Sequence, residues 1–524
     1  MKKNNMHNLR SVLLPALLIS SLATSAQDIK EAYNLSNLTI QGSARSMGFG
    51  NTLGSVGGDF SSISVNPAGL GVYRSSEFTI TPSLRLNGTS SQYMGTTTGD
   101  NNTHFNINNF GLVFTSAPKG KRYEQRSWKA VSFAFGMNRS ADFNYSYTYS
   151  GKNTTSSGSQ VFESDANQYP GDASAAGPSS ALGYIGYQSY LLNQNAAGQY
   201  ASIVPFSGGV NQLKSAQVSG GINEYLFALG GNYKEKLMLG ITIGIPTVNY
   251  HSTSYYQETL SADNTASNPY GFNSFNYNQT LDISGTGFNA KIGAIYKIND
   301  NFRLGAAFHS PTYYSISDVY TPGITTTHND SLIILSVDNG ALAQNQFNYS
   351  FTTPWKGVLS ATYIFNKLGF ITADYEYVNY STMRYRYPAD QFGNSYQSEQ
   401  DAMNQDIRNT YKAASDFRLG AEGRLGKYFM LRLGFGYYGN PYKTTDYNAQ
   451  RIDVSGGVGF HFRHFFTDLA IVHSIYQVEE QPYSVDYSVY NGIPSVISGG
   501  AATIPTATTN FSINNLAMTV GVKF

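Results

Sequence analysis

Counting back from Phe524, the residues Val522, Val520, Met518 and Leu516 are apolar, while Lys523, Gly521, Thr519, Ala517 and Asn515 between them are small or polar. Strict period-two alternation predicts a strand whose two faces meet different solvents. The same rhythm returns at Phe78, Ile80, Pro82, Leu84 and Leu86, and again at Phe429, Leu431, Leu433, Phe435 and Tyr437. Charge keeps to the opposite parity: Arg418, Glu422 and Arg424 alternate with Phe417, Leu419 and Ala421, as Asp374 and Glu376 do with Ala373, Tyr375 and Tyr377. Repeated segments of ~10 residues, apolar outward and polar inward, predict an all-β, 14-stranded antiparallel transmembrane β-barrel. The strands are expected near 77–87, 105–115, 129–149, 224–233, 236–251, 276–298, 301–315, 347–365, 368–384, 409–425, 427–438, 451–462, 464–477 and 512–524. Short links (116–128, "KEK", "IND", "NK", "GK", "RH") alternate with long ones, the longest being 151–223. Short periplasmic turns and long outer loops place both termini in the periplasm, and residues 77–524 form the barrel.

The inward parity also carries Gly240, Gly244, Gly293, Gly305, Gly420, Gly434, Gly436, Gly457 and Gly459. A lumen stripped of side chains has room for a plug or a ligand. Residues 27–76 are the expected plug, rich in small residues, with Gly48, Gly50, Gly54, Gly57 and Gly58 permitting close backbone approach. Ahead of them, Lys2, Lys3 and Arg10 precede an apolar run from Val12 to Leu22, and Thr24 and Ala26 fit a cleavage site. That run is about half the ~20 residues of a membrane span, so residues 1–26 read as a secretory signal peptide.

Composition narrows the class further. Charged residues make up 13% and aromatics 14%, with 41 Tyr and 31 Phe against 2 Trp. Soluble domains carry about 25% charged residues, so much of this surface faces something other than water. A net charge of +1 gives no excess of cations for nucleic acid. The absence of cysteine excludes disulfides, thiolate metal sites, a cysteine nucleophile and a lipidated cysteine. His309 beside Ser310, and His461 near His464, point to opposite strand faces and read as polar wall residues. Glu479 and Glu480 read as a solvated pair in an outer loop. No catalytic constellation, cofactor or metal site is expected.

The order of signal peptide, glycine-rich segment, "GGDFSSISVNPAGL" and fourteen strands ending in an aromatic resembles the FadL/TodX family of outer-membrane transporters for long-chain fatty acids and aromatic hydrocarbons. The residues that carry the likeness are Asp59, Ser61, Ser62, Asn66, Pro67, Ala68, Gly69 and Leu70, with support from "LGAAFHSPTYYS" (Leu304–Ser315) and "TPWKGVLSATYIF" (Thr353–Phe365). The resemblance implies a hatch in the barrel, an outer hydrophobic groove, an inner apolar pocket, and lateral escape into the bilayer at a kink in the third strand. Gly136, Met137, Asn138, Arg139 and Ser140 break the pattern of that strand and suit either such a kink or an ordinary rim bulge. Leu182, Tyr184, Ile185, Tyr187, Tyr190 and Leu191 suit either an apolar lip for ligand or a short helix packed on its own loop. Leu516, Met518, Val520, Val522 and Phe524 resemble the barrel-assembly signal. The partners implied are a hydrophobic small molecule, outer-membrane lipid or detergent and the barrel-assembly machinery, for a monomer that binds no nucleic acid. A structural or adhesive barrel without transport, or a hemin-binding barrel, is the alternative.

Overall fold

An open sheet edge in hydrocarbon would leave its backbone N–H and C=O groups unsatisfied, and in this chain the first strand, β1 (Glu77–Tyr93), closes the sheet by pairing with the last, β14 (Ala507–Lys523). The computed structural model describes residues 29–524 apart from 119, 172–176, 206–207, 265–266, 330, 390–392, 394, 445–447 and 486–503; the expected signal peptide lies outside the described residues. The ring runs from β1 through β2 (Thr96–Ser116), β3 (Trp128–Asp142, continued by Tyr145–Asn153), β4 (Val210–Tyr233) and β5 (Leu237–Leu260). It goes on with β6 (Phe272–Lys297), β7 (Phe302–His309 and Tyr313–His328), β8 (Asn345–Thr352 and Lys356–Ile364) and β9 (Gly369–Asn379, with Arg384–Arg386). β10 (Ala413–Leu425), β11 (Phe429–Tyr438), β12 (Arg451–His461) and β13 (Phe465–Glu480) complete it before β14. All pairings are antiparallel, so the fold is the 14-stranded barrel that the alternation predicts. Among the described residues no helix is long and apolar enough to cross a membrane.

Inside the ring lie α1 (Ile29–Ser36), α2 (Ala44–Gly48) and two short 3-10 turns, Phe60–Ser64 and Pro67–Val72. Ala32 and Leu35 of α1 belong to an apolar core with Ile316, Phe351, Tyr385 and Tyr411. Outside the strands, α3 (Lys121–Gln125) lies in the β2–β3 link, α4 (Ser159–Gln168) and α5 (Ala181–Gln188) in the β3–β4 link, and α6 (Gln397–Thr410) before β10.

The strands differ from expectation mainly at one end. The segment 88–104, expected as a loop, continues both β1 and β2 to a two-residue turn at Met94 (φ 47°) and Gly95 (φ 82°). β4 and β5 have 24 residues each, roughly 80 Å at ~3.3 Å per residue, where ~10 residues suffice to cross the bilayer. The surplus carries the reverse pattern. In β14, Leu516, Met518 and Val522 face outward, whereas nearer the start of the strand Phe511 and Ile513 are buried inward and Ser512 faces out. One strand thus passes from lipid into water, and its apolar residues change sides where it does.

Candidate functional site

The hatch is built from local polar caps. Asp59 Oδ1 accepts from the Ser61 N–H (2.9 Å) and Oδ2 from the Ser43 hydroxyl (2.7 Å), which starts the first 3-10 turn. Asn66 starts the second: its Oδ1 accepts from the Ala68 N–H (3.0 Å), with Pro67 at the first helical position, where a missing N–H costs nothing. Asn66 Nδ2 donates to the Gly54 carbonyl (2.6 Å) and the Ala294 carbonyl on β6 (3.2 Å), so one side chain ties turn, hatch and wall together. Pro67, Ala68, Gly69 and Leu70 are fully buried. Gly57 holds φ 66°, a conformation that favours glycine.

The lumenal glycines are the seat of this hatch. A Cβ at Gly293 would strike Asn66 Oδ1, at Gly240 the Pro67 carbonyl, at Gly305 the Gly54 carbonyl, at Gly420 the Phe49 carbonyl and at Gly434 the Gly50 nitrogen. Gly457 lies against the Gly48 Cα. Gly244, Gly436 and Gly459 instead face side chains of the barrel itself. Charges on the same parity grip the plug. Asp374 Oδ2 accepts from the Gly54 N–H (3.0 Å), and Arg45 on α2 donates to Glu422 (3.0 Å). Glu422 also accepts from Arg432 (2.7 Å), which is fully buried and reaches Asp468 (2.7 Å). Burial works against the Arg45 charge, yet Glu422 and Asp59 more than offset it and hold the guanidinium protonated. His309 meets the Val65 carbonyl of the hatch through Nε2 (2.8 Å), and His461 meets Asp468 (3.1 Å).

The third strand leaves the wall. β3 pairs with β2 from Ser116/Val131 as far as Asn109/Asn138 and no farther, although β2 keeps pairing with β1 out to Thr96. Toward β4 the ladder persists with a register shift between Arg139 and Ala141, which bulges Ser140. The Arg139 carbonyl accepts from the hatch, from the Gln41 N–H (2.8 Å). Beyond it β3 folds inward, placing Tyr145 on Phe511 of β14 (5.5 Å) and Tyr149 on Tyr93 of β1 (5.1 Å), while Thr89 donates to the Ser146 carbonyl (2.9 Å). What spans the break is side chain: Asn106 of β2 donates to Asp142 (2.5 Å), and Arg85 of β1 stands 3.7 Å from it. Of the five residues expected at a kink, Gly136, Met137 and Asn138 are therefore regularly paired on both sides, and the irregularity begins at Arg139 and Ser140. Gly136 has another job, because a Cβ there would meet the ring of hatch residue Phe60 (2.5 Å).

Two spaces lie on opposite sides of the hatch. One, of about 280 Å³, is bounded by α1, by Gln41 and Asn51 of the hatch, by Tyr476 and Phe511, and by Ala141, Asp142 and Phe143, where β3 has parted from β2. The other, of about 420 Å³, is lined by Arg45, Asp59, Tyr73 and Glu77 near the barrel's start and by Lys523 at its end. Glu480, expected in a solvated loop, ends β13 and borders the first cavity. It accepts from the Tyr147 and Tyr149 hydroxyls (3.0 Å each) and faces Lys214 (3.2 Å), because β13 runs on past the expected residue 477. In the β3–β4 link, Ile185 and Leu191 are buried in a core with Phe162, Phe272 and Phe275, Leu182 and Tyr187 pack against it, and Tyr184 and Tyr190 stay exposed. No signal in the sequence marked Phe60, Tyr145 or Glu480, whose roles depend on how far β3 bends and how far β13 extends.

No family model and no curated protein sequence matches the chain. Among solved structures, a Pseudomonas aeruginosa FadL homologue superposes with a TM-score of 0.52 at 12% identity over 92% of this chain and 99% of that one. The toluene transporters TbuX of Ralstonia pickettii and TodX of Pseudomonas putida each align over 92% of this chain and 98% of theirs, with 13% identity and a TM-score of 0.47. The chain thus has the fold of the FadL homologue, and in this chain the fold is a fourteen-stranded barrel with the N-terminal segment inside the lumen.

Proposed function

We propose that this barrel takes up hydrophobic small molecules through the outer membrane, receiving them at the long-loop end and releasing them sideways into the bilayer at the β2–β3 break. The observation that carries the reading is that the cavity above the hatch is bounded by Ala141, Asp142 and Phe143, the residues at which β3 has lost β2. Straight passage is blocked by a hatch seated on six lumenal glycines. A greasy solute leaving for water loses about 25 cal/mol per Å² of apolar surface, so lipid is the cheaper exit. Exposed Tyr184 and Tyr190 offer contacts to a solute at the loop surface.

Removing the bulged residue tests it. Deletion of Ser140 brings Arg139 and Ala141 into one continuous register and draws β3 toward β2. Uptake of a labelled hydrophobic solute by cells or proteoliposomes should then fall to background, while the amount of heat-modifiable folded barrel is unchanged. Uptake at the unaltered rate would overturn lateral release.

A further inference from the structure

We infer that the solute held above the hatch is a neutral ring compound bearing hydroxyl groups, rather than a fatty carboxylate or a bare hydrocarbon; this rests on the uptake reading and narrows it. Charge argues against an anion. Lys30, Arg85 and Arg451 face the cavity along with four carboxylates, Asp142, Asp453, Glu479 and Glu480. Each cation already has an acidic partner: Lys30 with Glu480 (4.0 Å), Arg85 with Asp142 (3.7 Å) and Arg451 with Asp453 (3.1 Å). Asp142 and Glu480 each hold a second cation as well, Arg139 (3.1 Å) and Lys214 (3.2 Å), so an entering carboxylate would be desolvated among cations that are all engaged already.

Unsatisfied polarity argues against a hydrocarbon. Tyr33, Tyr145 and Tyr476 line the cavity half-buried, and none of their hydroxyls makes a hydrogen bond among the described residues. Their rings provide flat apolar faces, with Tyr476 stacked on Phe511 at 4.6 Å and 4°. A solute such as toluene would cover the rings and strand the hydroxyls, whereas a phenol satisfies both. The way out has the same character, since Arg85, Asn87, Asn106, Asp142 and Asn144 surround the break.

The test uses the full chain in lipid nanodiscs and three probes that share one ring: toluene, 4-methylphenol and 4-methylbenzoate, each titrated at pH 8 by saturation-transfer NMR. We expect 4-methylphenol to bind about tenfold more tightly than 4-methylbenzoate. Joint replacement Tyr33→Phe and Tyr476→Phe should weaken 4-methylphenol about three- to tenfold while leaving toluene unchanged, as loss of one or two hydrogen bonds requires. Toluene or 4-methylbenzoate binding as tightly as 4-methylphenol, with uptake intact, would overturn this assignment and leave the uptake reading standing. Failure of all three to bind or to be taken up would overturn both.

Discussion

Glu163 on α4 is a carboxylate with little support: the Ser202 N–H donates to Oε2 at 3.3 Å, and Oε1 has no hydrogen-bond partner. Burial pushes its pKa up to about 7 from an ordinary 4.5. An acid whose pKa is raised on folding binds its proton more tightly in the folded loop, so the loop has its full stability below about pH 4.5. It loses stability as pH rises toward about 7, by a total on the order of 3 kcal/mol at 1.36 kcal/mol per unit. Hydrogen exchange in residues 159–171 and 177–202, corrected for intrinsic rate, should therefore show greater protection at pH 5 than at pH 8, and Glu163→Gln should abolish the difference. Equal protection at the two pH values in the unaltered protein would contradict it. Residues of this kind were not legible in the sequence, where Glu163 and Glu480 look like any loop acid; their burial comes from packing partners far along the chain. The inward glycines were legible because parity alone gives their face. Gly136 shows the limit, since a glycine that makes room for a ring and one that serves as a hinge look the same in a sequence.

At the scale of the strand, alternation located all fourteen but misplaced their outer ends. The cause is physical: alternation reports a boundary between two solvents, and beyond the bilayer the water is outside and the apolar contacts are inside. β14 holds both regimes, which gives a prediction. Val520→Lys puts a charge on the lipid-facing band and should cost about 2–4 kcal/mol near the midplane, whereas Ser512→Lys, on the same face but in the polar outer stretch, should cost almost nothing. Chemical denaturation in vesicles, or the yield of folded barrel, separates the two. Equal losses would mean that the bilayer reaches farther along β14 than its residues indicate. The end of the strand is tied as well: Phe524 exchanges backbone hydrogen bonds with Ser76 (3.0 and 3.1 Å) and stays 63% exposed on the outer face.

For the molecule as a whole, the hatch, the cavity and the break form one arrangement, because the Arg139 carbonyl, one residue past the last β2–β3 pair, accepts from Gln41 of the hatch. The hatch block and the glycine seats could be read from the sequence together. The break could be read only as an irregular patch, because whether a strand bends in or bulges out is decided by partners on β1 and β14 that no local pattern names. The chain has no cysteine, so a pair introduced as Asn106→Cys and Asp142→Cys, in place of two side chains that now meet at 2.5 Å, would be the only thiols present. The most direct measurement is solute uptake by this variant before linking, after linking with a short reducible bis-thiosulfonate, and after reduction. Uptake is expected to stop when the break is sutured and to return when the link is cut, with the barrel folded throughout. Uptake that continues unchanged across the sutured break would contradict it.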